Sequence, residues 1–293
     1  MKKILITGAN SYIGTSFEKY VKENYPNNYI VDTVDTVDGA WRKKSFAEYD
    51  SIFHVAGIAH SDAGKISKER EALYYAVNTD LTVEVAKKAK ADGVKQFVFM
   101  SSVIVYGESA PIGKCKRITR ETEVAPENCY GDSKVKAENG ILSLDEDGFR
   151  VVILRPPVIY GRGSKGNYPL LAKIAAKTPI FPFVKNERSM LYVENLCEFV
   201  RLMIEHEERG IFRPQNGEYC STSELVRMIA EARGKKVRLI KGFAWSLKLM
   251  SRVSRLVDKA FGSLSYDMEL SEYEYPYRLY DLKESIKKTE SDI

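Results

Sequence analysis

Along the first half of the chain, short apolar runs alternate with stretches in which apolar residues recur every three or four positions, the pattern of βαβ units around a parallel sheet. The runs predict strands at 3–7, 29–35, 51–56, 96–101 and 150–154. Between the third and fourth, Leu73, Tyr74, Val77, Leu81, Val85 and Ala89 fall at helical spacing and predict one long helix; a second is predicted over 129–144. The rhythm breaks at RPPVIYGRGSKGNYP, whose crowded Pro and Gly suit neither a strand interior nor a helix, so a lobe boundary or a binding loop starts there. Beyond it, 194–208 reads as a helix, and Ser221 with Glu224 reads as the capping-box start of another that ends near Gly234. An amphipathic helix is predicted over 243–264, with Phe243, Leu247, Met250, Val257, Phe261 and Leu264 on one side. The pattern predicts an α/β fold built on a parallel sheet, with a second lobe beginning after 154.

Composition narrows the class. The chain has 293 residues, 44% hydrophobic and 29% charged, which gives material for about two packed domains and excludes a disordered or collagen-like chain. Basic residues number 45 and acidic ones 40, and the excess of five is dispersed, so no nucleic-acid partner is implied. Cys115, Cys129, Cys197 and Cys220 stand far apart with no CxxC pair, which points to neither a zinc site nor a disulfide framework and fits a reducing cytoplasm. The apolar stretch in MKKILITGAN is too short for a signal-peptide core, and no window supplies the apolar length of a membrane span. The cations Lys248, Arg252, Arg255 and Lys259 read as the solvated face of a helix covering the second lobe, with peripheral docking on an anionic membrane as the alternative.

Two segments carry chemistry. In ILITGANSYIG, Gly8 and Gly14 sit between a predicted strand and a predicted helix, where a glycine turn lets backbone N–H groups approach a pyrophosphate. Asp35, at the end of the second predicted strand, would accept hydrogen bonds from both ribose hydroxyls and repel a 2′-phosphate, which favours NAD over NADP; Asp32 is the competing acid. In CYGDSK, Tyr130 and Lys134 are four apart and share a helix face, a spacing at which an ammonium lowers the pKa of a phenol and prepares it as a general acid and base. Ser101 and Ser102 end a predicted strand at the carboxyl edge of the sheet, where parallel sheets bind ligands. His54 reads as a buried strand residue, His60 equally as loop polarity or a substrate contact, and Cys129 as a spectator.

With these motifs in order, the chain resembles the extended short-chain dehydrogenase/reductases, in their NAD-dependent sugar epimerase/dehydratase branch. TGANSYIG is similar to the TGxxGxxG turn, HVAG to the HxAG strand end, VNTD to the Asn-bearing helix, SSVIVYG to the catalytic-Ser strand, YGDSK to YxxxK, and LRPPVIYG to the RPxxVYG loop. The resemblance implies a doubly wound Rossmann domain formed by 1–154 and 188–209 and a smaller C-terminal substrate lobe formed by 155–187 and 210–293, with the ligand between them. It implies that Tyr130 is the acid/base, that Lys134 lowers its pKa and holds the nicotinamide ribose, and that Ser102 donates to the reacting oxygen. It places Gly8, Ser11, Tyr12, Ile13 and Gly14 at the pyrophosphate, Asp35 and Asp38 at the adenosine, Ala56, Gly57 and Asn78 at the middle of the cofactor, and Pro157 beside the nicotinamide. Arg188 would bind a substrate diphosphate, while Asn167 and Phe181 would meet its nucleotide end. Ser11 and Val158 replace residues the family usually carries as Gly and Asn. The implied activity is C4 epimerisation of a nucleotide sugar; a 4-keto-sugar reductase is the rival, and a non-catalytic dinucleotide-binding regulator a more distant one. A homodimer is implied as well, built from helix 80–91 and the helix bearing Tyr130, through Leu81, Val85, Ala89, Val135, Ala137, Ile141 and Leu142.

Overall fold

The structure is a computed structural model in which residues 1–58, 66–242 and 260–291 are described. It divides into two units, one of Met1–Gly107, Glu123–Pro156 and Leu196–Pro214, the other of Glu108–Thr122, Pro157–Asn195 and Gln215–Ile293.

The first unit is a six-stranded parallel sheet with helices. Its strands are β1 (Lys2–Thr7), β2 (Tyr29–Val34), β3 (Ser51–His54), β4 (Gln96–Met100), Arg150–Leu154 and Gly210–Phe212. Across the sheet they run Gly210–Phe212, Arg150–Leu154, β4, β3, β1, β2. Every residue of β3 and β4 is buried, which is why Ile52–Phe53 and Phe97–Met100 run apolar without alternation. The chain leaves β1 toward β2 on one side and returns as β3 on the other, so the carboxyl ends of β1 and β3 flank the switch point at which such sheets bind ligands.

Helices α1 (Tyr12–Asn24), α2 (Lys68–Tyr74), α3 (Leu81–Ala91) and α4 (Cys129–Leu142) belong to this unit. The predicted long helix is present, but α2 and α3 are joined by a π turn at Tyr75–Asp80. Such widened turns recur at functional sites. Val85, Ala89, Ala137 and Ile141 are fully buried in a core with Leu5, Phe97 and Val151. They are therefore spent inside the subunit, which corrects the apolar stripe expected for a partner: of that set only Leu81, Val135 and Leu142 are partly exposed.

The second unit holds three short parallel pairs: Val158–Tyr160 with Met190–Tyr192, Ile180–Pro182 with Arg238–Ile240, and Arg117–Ile118 with Ser265–Tyr266. These pairings move the expected boundaries. Segment 188–195 and segment 108–122 join the second unit because their strands pair there, and 210–214 joins the first because Gly210–Phe212 is its sixth strand. Ser221 caps the helix Thr222–Ala232 by accepting from the Glu224 N–H at 3.1 Å, but the Glu224 carboxylate turns to Arg227, leaving half of the expected box. A complete one forms between Asp281 and Glu284. Of the helix predicted over 243–264, residues 243–259 lie outside the described residues, and Ser263 and Leu264 form bridges instead. No helix among the described residues is long and apolar enough to cross a membrane.

Candidate active site

At the end of β1 the chain turns through Gly8 and enters α1 at Tyr12. Gly8 has φ of +100°, and a Cβ on it would stand 2.7 Å from the Ala56 nitrogen, so the turn lies against the segment that follows β3. Only glycine fits there. Gly14 is also tight, since a Cβ would meet the Ser11 hydroxyl at 2.7 Å and Ile6 at 3.0 Å. Ser11 itself has ordinary extended backbone with φ of −71°, which is why a side chain is tolerated at this position. Its hydroxyl accepts from the Gly14 N–H at 3.1 Å and caps α1. The first turn of α1, which contains Tyr12 and Ile13, has no acidic side chain, so the positive end of the helix dipole is available to an anion.

The structure separates the two candidate acids. Asp32 lies inside β2 opposite Leu5 and accepts from the Tyr49 hydroxyl at 2.8 Å. Asp35 is exposed one residue beyond the strand, at the carboxyl edge, and accepts only locally from the Val37 N–H at 2.8 Å. Asp38 accepts from the Ala40 N–H at 2.9 Å and opens a 3₁₀ turn. With Gly8 and the acid-free start of α1, this edge fits a dinucleotide. Asp35→Ala is expected to raise the affinity for NADP relative to NAD by removing a repulsive carboxylate. Cofactor titrations check it: a ratio unchanged by Asp35→Ala but moved by Asp32→Ala would reassign the acid.

Asn78 lies against the segment that follows β3. It is buried in the π turn, where its Oδ1 accepts from the Ile58 N–H at 2.8 Å and its Nδ2 donates to the Ile58 carbonyl at 3.2 Å and to Ser133 Oγ at 3.1 Å. It thereby clamps the Ala56–Gly57 segment to α4. A Cβ on Gly57 would stand 3.1 Å from Asn78 Oδ1 and 3.4 Å from Lys134 Nζ. His54 bonds Thr7 Oγ1 at 2.6 Å and Thr82 Oγ1 at 3.0 Å, and burial pushes it down to about 3, so it is neutral and structural.

Ser102, Tyr130 and Lys134 come together at the end of β4. The Ser102 hydroxyl is hydrogen-bonded to the Tyr130 phenol, and the Tyr74 ring lies 6.0 Å from the Tyr130 ring. Burial pushes the phenol up to about 12, the Ser102 bond opposes this, and Tyr74 adds to it. Lys134 is buried, donates to the Met100 carbonyl at 3.0 Å and rests 4.7 Å from the Phe99 ring centroid. Burial pushes its ammonium down to about 8 against the pull of Glu138. The expected lowering of Tyr130 by Lys134 is thus absent: burial dominates, and the ammonium is held by the Met100 carbonyl beside Gly57. The thiol of neighbouring Cys129 is pushed up, by burial first, so it is not an activated nucleophile.

Sequence reasoning missed Glu138 and Arg155. Glu138 follows Lys134 by one helical turn and is buried, bonded to Ser101 and to Arg155. The i, i+4, i+8 spacing with Tyr130 was the available signal.

In the second unit, Pro157 opens the segment after Arg155 and Pro156. Arg188 and Asn167 line one small cavity together with Val158, Met190, Cys220 and Thr222. Arg188 donates to the Ala260 carbonyl at 3.0 Å, and burial lowers its pKa from the ordinary value. Phe181 is not in that lining: it is buried and stacked on Phe261 with centroids 5.8 Å apart, so a protein ring takes the face expected for a base. His60 lies outside the described residues. Among the described residues no His, Cys, Asp and Glu cluster could hold a metal ion.

Residues 4–213 match the model of the NAD dependent epimerase/dehydratase family. The chain is similar to the UDP-glucose 4-epimerase of Vibrio cholerae, 32% identical over 91% of this chain and 88% of that one. It is also similar to the N-acetyl-alpha-D-glucosaminyl-diphospho-ditrans,octacis-undecaprenol 4-epimerase of Escherichia coli O157:H7, 28% identical over 80% of this chain and 73% of the other. In fold it resembles a dTDP-4-dehydrorhamnose reductase of Clostridium acetobutylicum with a TM-score of 0.74, 20% identity and 98% of each chain covered.

Proposed function

This chain belongs to the NAD-dependent epimerase/dehydratase family, and from that premise we propose that it inverts C4 of a nucleotide-linked hexose or N-acetylhexosamine. The observation that carries the proposal is the hydrogen-bonded pair Ser102 and Tyr130 at the end of β4, with Lys134 one turn along α4 and the glycine turn of β1 at the same sheet edge. Tyr130 takes the proton of the sugar 4-hydroxyl, and Ser102 donates to the oxygen as it becomes a carbonyl. NAD, when bound, supplies a reversible store for the C4 hydride. After the 4-keto sugar turns its other face, Tyr130 returns the proton, so the sum of the two half-reactions leaves the oxidation state unchanged. Lys134, beside Gly57, would hold the nicotinamide ribose, with Pro157 at the nicotinamide. Asp35 would hold the adenosine ribose, and Arg188 and Asn167 the diphosphate and nucleotide of the substrate.

Purified protein given UDP-galactose and no added nicotinamide is expected to form UDP-glucose, with the N-acetylated pair tested alongside. Turnover that consumes one reduced nicotinamide per sugar would make the protein a 4-keto-sugar reductase instead. The reading extends to a cytoplasmic homodimer in which α3 and α4 meet their counterparts through the partly exposed Leu81, Val135 and Leu142 rather than through the buried members of the expected stripe. Light scattering tests this assembly, and a fully active monomer at micromolar concentration would exclude it.

A further inference from the structure

Beneath Lys134 lies a buried charged group that the reaction just described does not use. Glu138, on the same face of α4, has its carboxylate shared among three elements of the first unit. Its Oε1 accepts from Ser101 Oγ at the end of β4 and from Arg155 Nε at 3.1 Å; its Oε2 accepts from Arg155 Nη2 at 2.6 Å. Arg155, at the end of the strand Arg150–Leu154, also donates to the Tyr106 hydroxyl at 2.7 Å, which takes a second bond from Arg213 at 2.8 Å. The side chains of the pair are only 6% and 2% exposed. Taking two charges out of water costs more than packing apolar residues of like volume, so a pair buried so fully is not explained by stability alone.

Its position supplies an explanation. One end of the network is Ser101, the neighbour of Ser102, and the other lies one turn from Lys134. We propose that Glu138 is a positioning residue which, paired with Arg155, keeps Lys134 charged in its buried seat and fixes the strand end that carries Ser102. This rests on the reading of Ser102, Tyr130 and Lys134 given above. Among the described residues, the charged and titratable groups around the Lys134 ammonium are few. Tyr130 and Glu138 come from its own helix, His54 from β3, and Arg155 from the strand Arg150–Leu154; β4 offers the Phe99 ring and the Met100 carbonyl, and the π turn offers neutral Asn78. Of these, Glu138 is the negative one. Burial lowers the ammonium toward neutrality, and Glu138 opposes that drift.

The test compares Glu138→Gln with the parent for UDP-galactose turnover and for NAD affinity, from about pH 6 to about pH 10. Loss of the carboxylate is expected to move the alkaline fall in both measurements to lower pH by about one unit or more. Turnover would be nearest the parental value at the acid end. A support for packing alone would lower activity at all pH values without moving the fall. If Glu138→Gln does not accumulate as folded protein, the double variant Glu138→Met with Arg155→Met removes both buried charges and is read the same way. A parental alkaline fall in the folded variant overturns the inference while the reading of the site stands. Lys134→Met separates the two: if it turns over like the parent across the range, the reading of the site fails and the inference with it.

Discussion

Tyr130→Phe is expected to retain the fold and NAD affinity while kcat falls by about 10²–10⁴-fold, the usual contribution of a positioned general acid and base. The ring packs between α4 and Tyr74, and phenylalanine keeps that contact. What goes is the hydroxyl that meets Ser102, and with it the group that moves the sugar proton. Because burial holds the phenol near 12, the parent enzyme should also gain turnover with rising pH on its acid side, as more phenolate forms, until Lys134 loses its proton. Tyr130→Phe should lose that acid limb. Rates, NAD titration and thermal melting on the same preparation check the claim; a variant with near-parental turnover would remove Tyr130 from catalysis.

The parts of the fold that were legible in the sequence are those whose burial writes itself into composition. β3 and β4 are buried on both faces, so Ile52–Phe53 and Phe97–Met100 appear as apolar runs, and the Tyr130–Lys134 spacing places both residues on one face once α4 is granted. Three features had no such trace. Gly210–Phe212 has three residues and becomes a strand only because the edge of Arg150–Leu154 offers it partners. The π turn keeps the apolar spacing of a regular helix, and its difference is a backbone register held by Asn78 against Ile58 and Ser133. Glu138 and Arg155 look like surface charges in a list of residue types, and only their pairing makes burial tolerable. The spacing of Lys134 likewise gave its helix face but not the direction of its ammonium, which the Met100 carbonyl decides. Phe181 is the same kind of case, because an aromatic suited to stacking on a base finds Phe261 within its own unit.

Gly8→Ala is expected to abolish measurable NAD binding, whereas Ser11→Gly in the same turn should leave it intact. At Gly8 two costs add. The residue sits at φ of +100°, where an L side chain is strained by about 1–2 kcal/mol, and its new Cβ would press on Ala56 nitrogen and Cα at 2.7 and 2.9 Å. Both contacts are backbone, so relief requires parting the turn after β1 from the segment after β3, and those two edges flank the switch point where the dinucleotide would lie. At Ser11 the backbone is already in an ordinary region, and replacing a capping serine by glycine costs only a few tenths of a kcal/mol, roughly. The Gly14 N–H released from the serine hydroxyl would then be free to bind the pyrophosphate, so NAD affinity should hold or rise. Calorimetric titration of NAD into both variants, beside their melting curves, distinguishes this account from general damage to the turn. Equal losses of affinity would show that the Ser11 hydroxyl, and not the glycine approach to Ala56, organises the site.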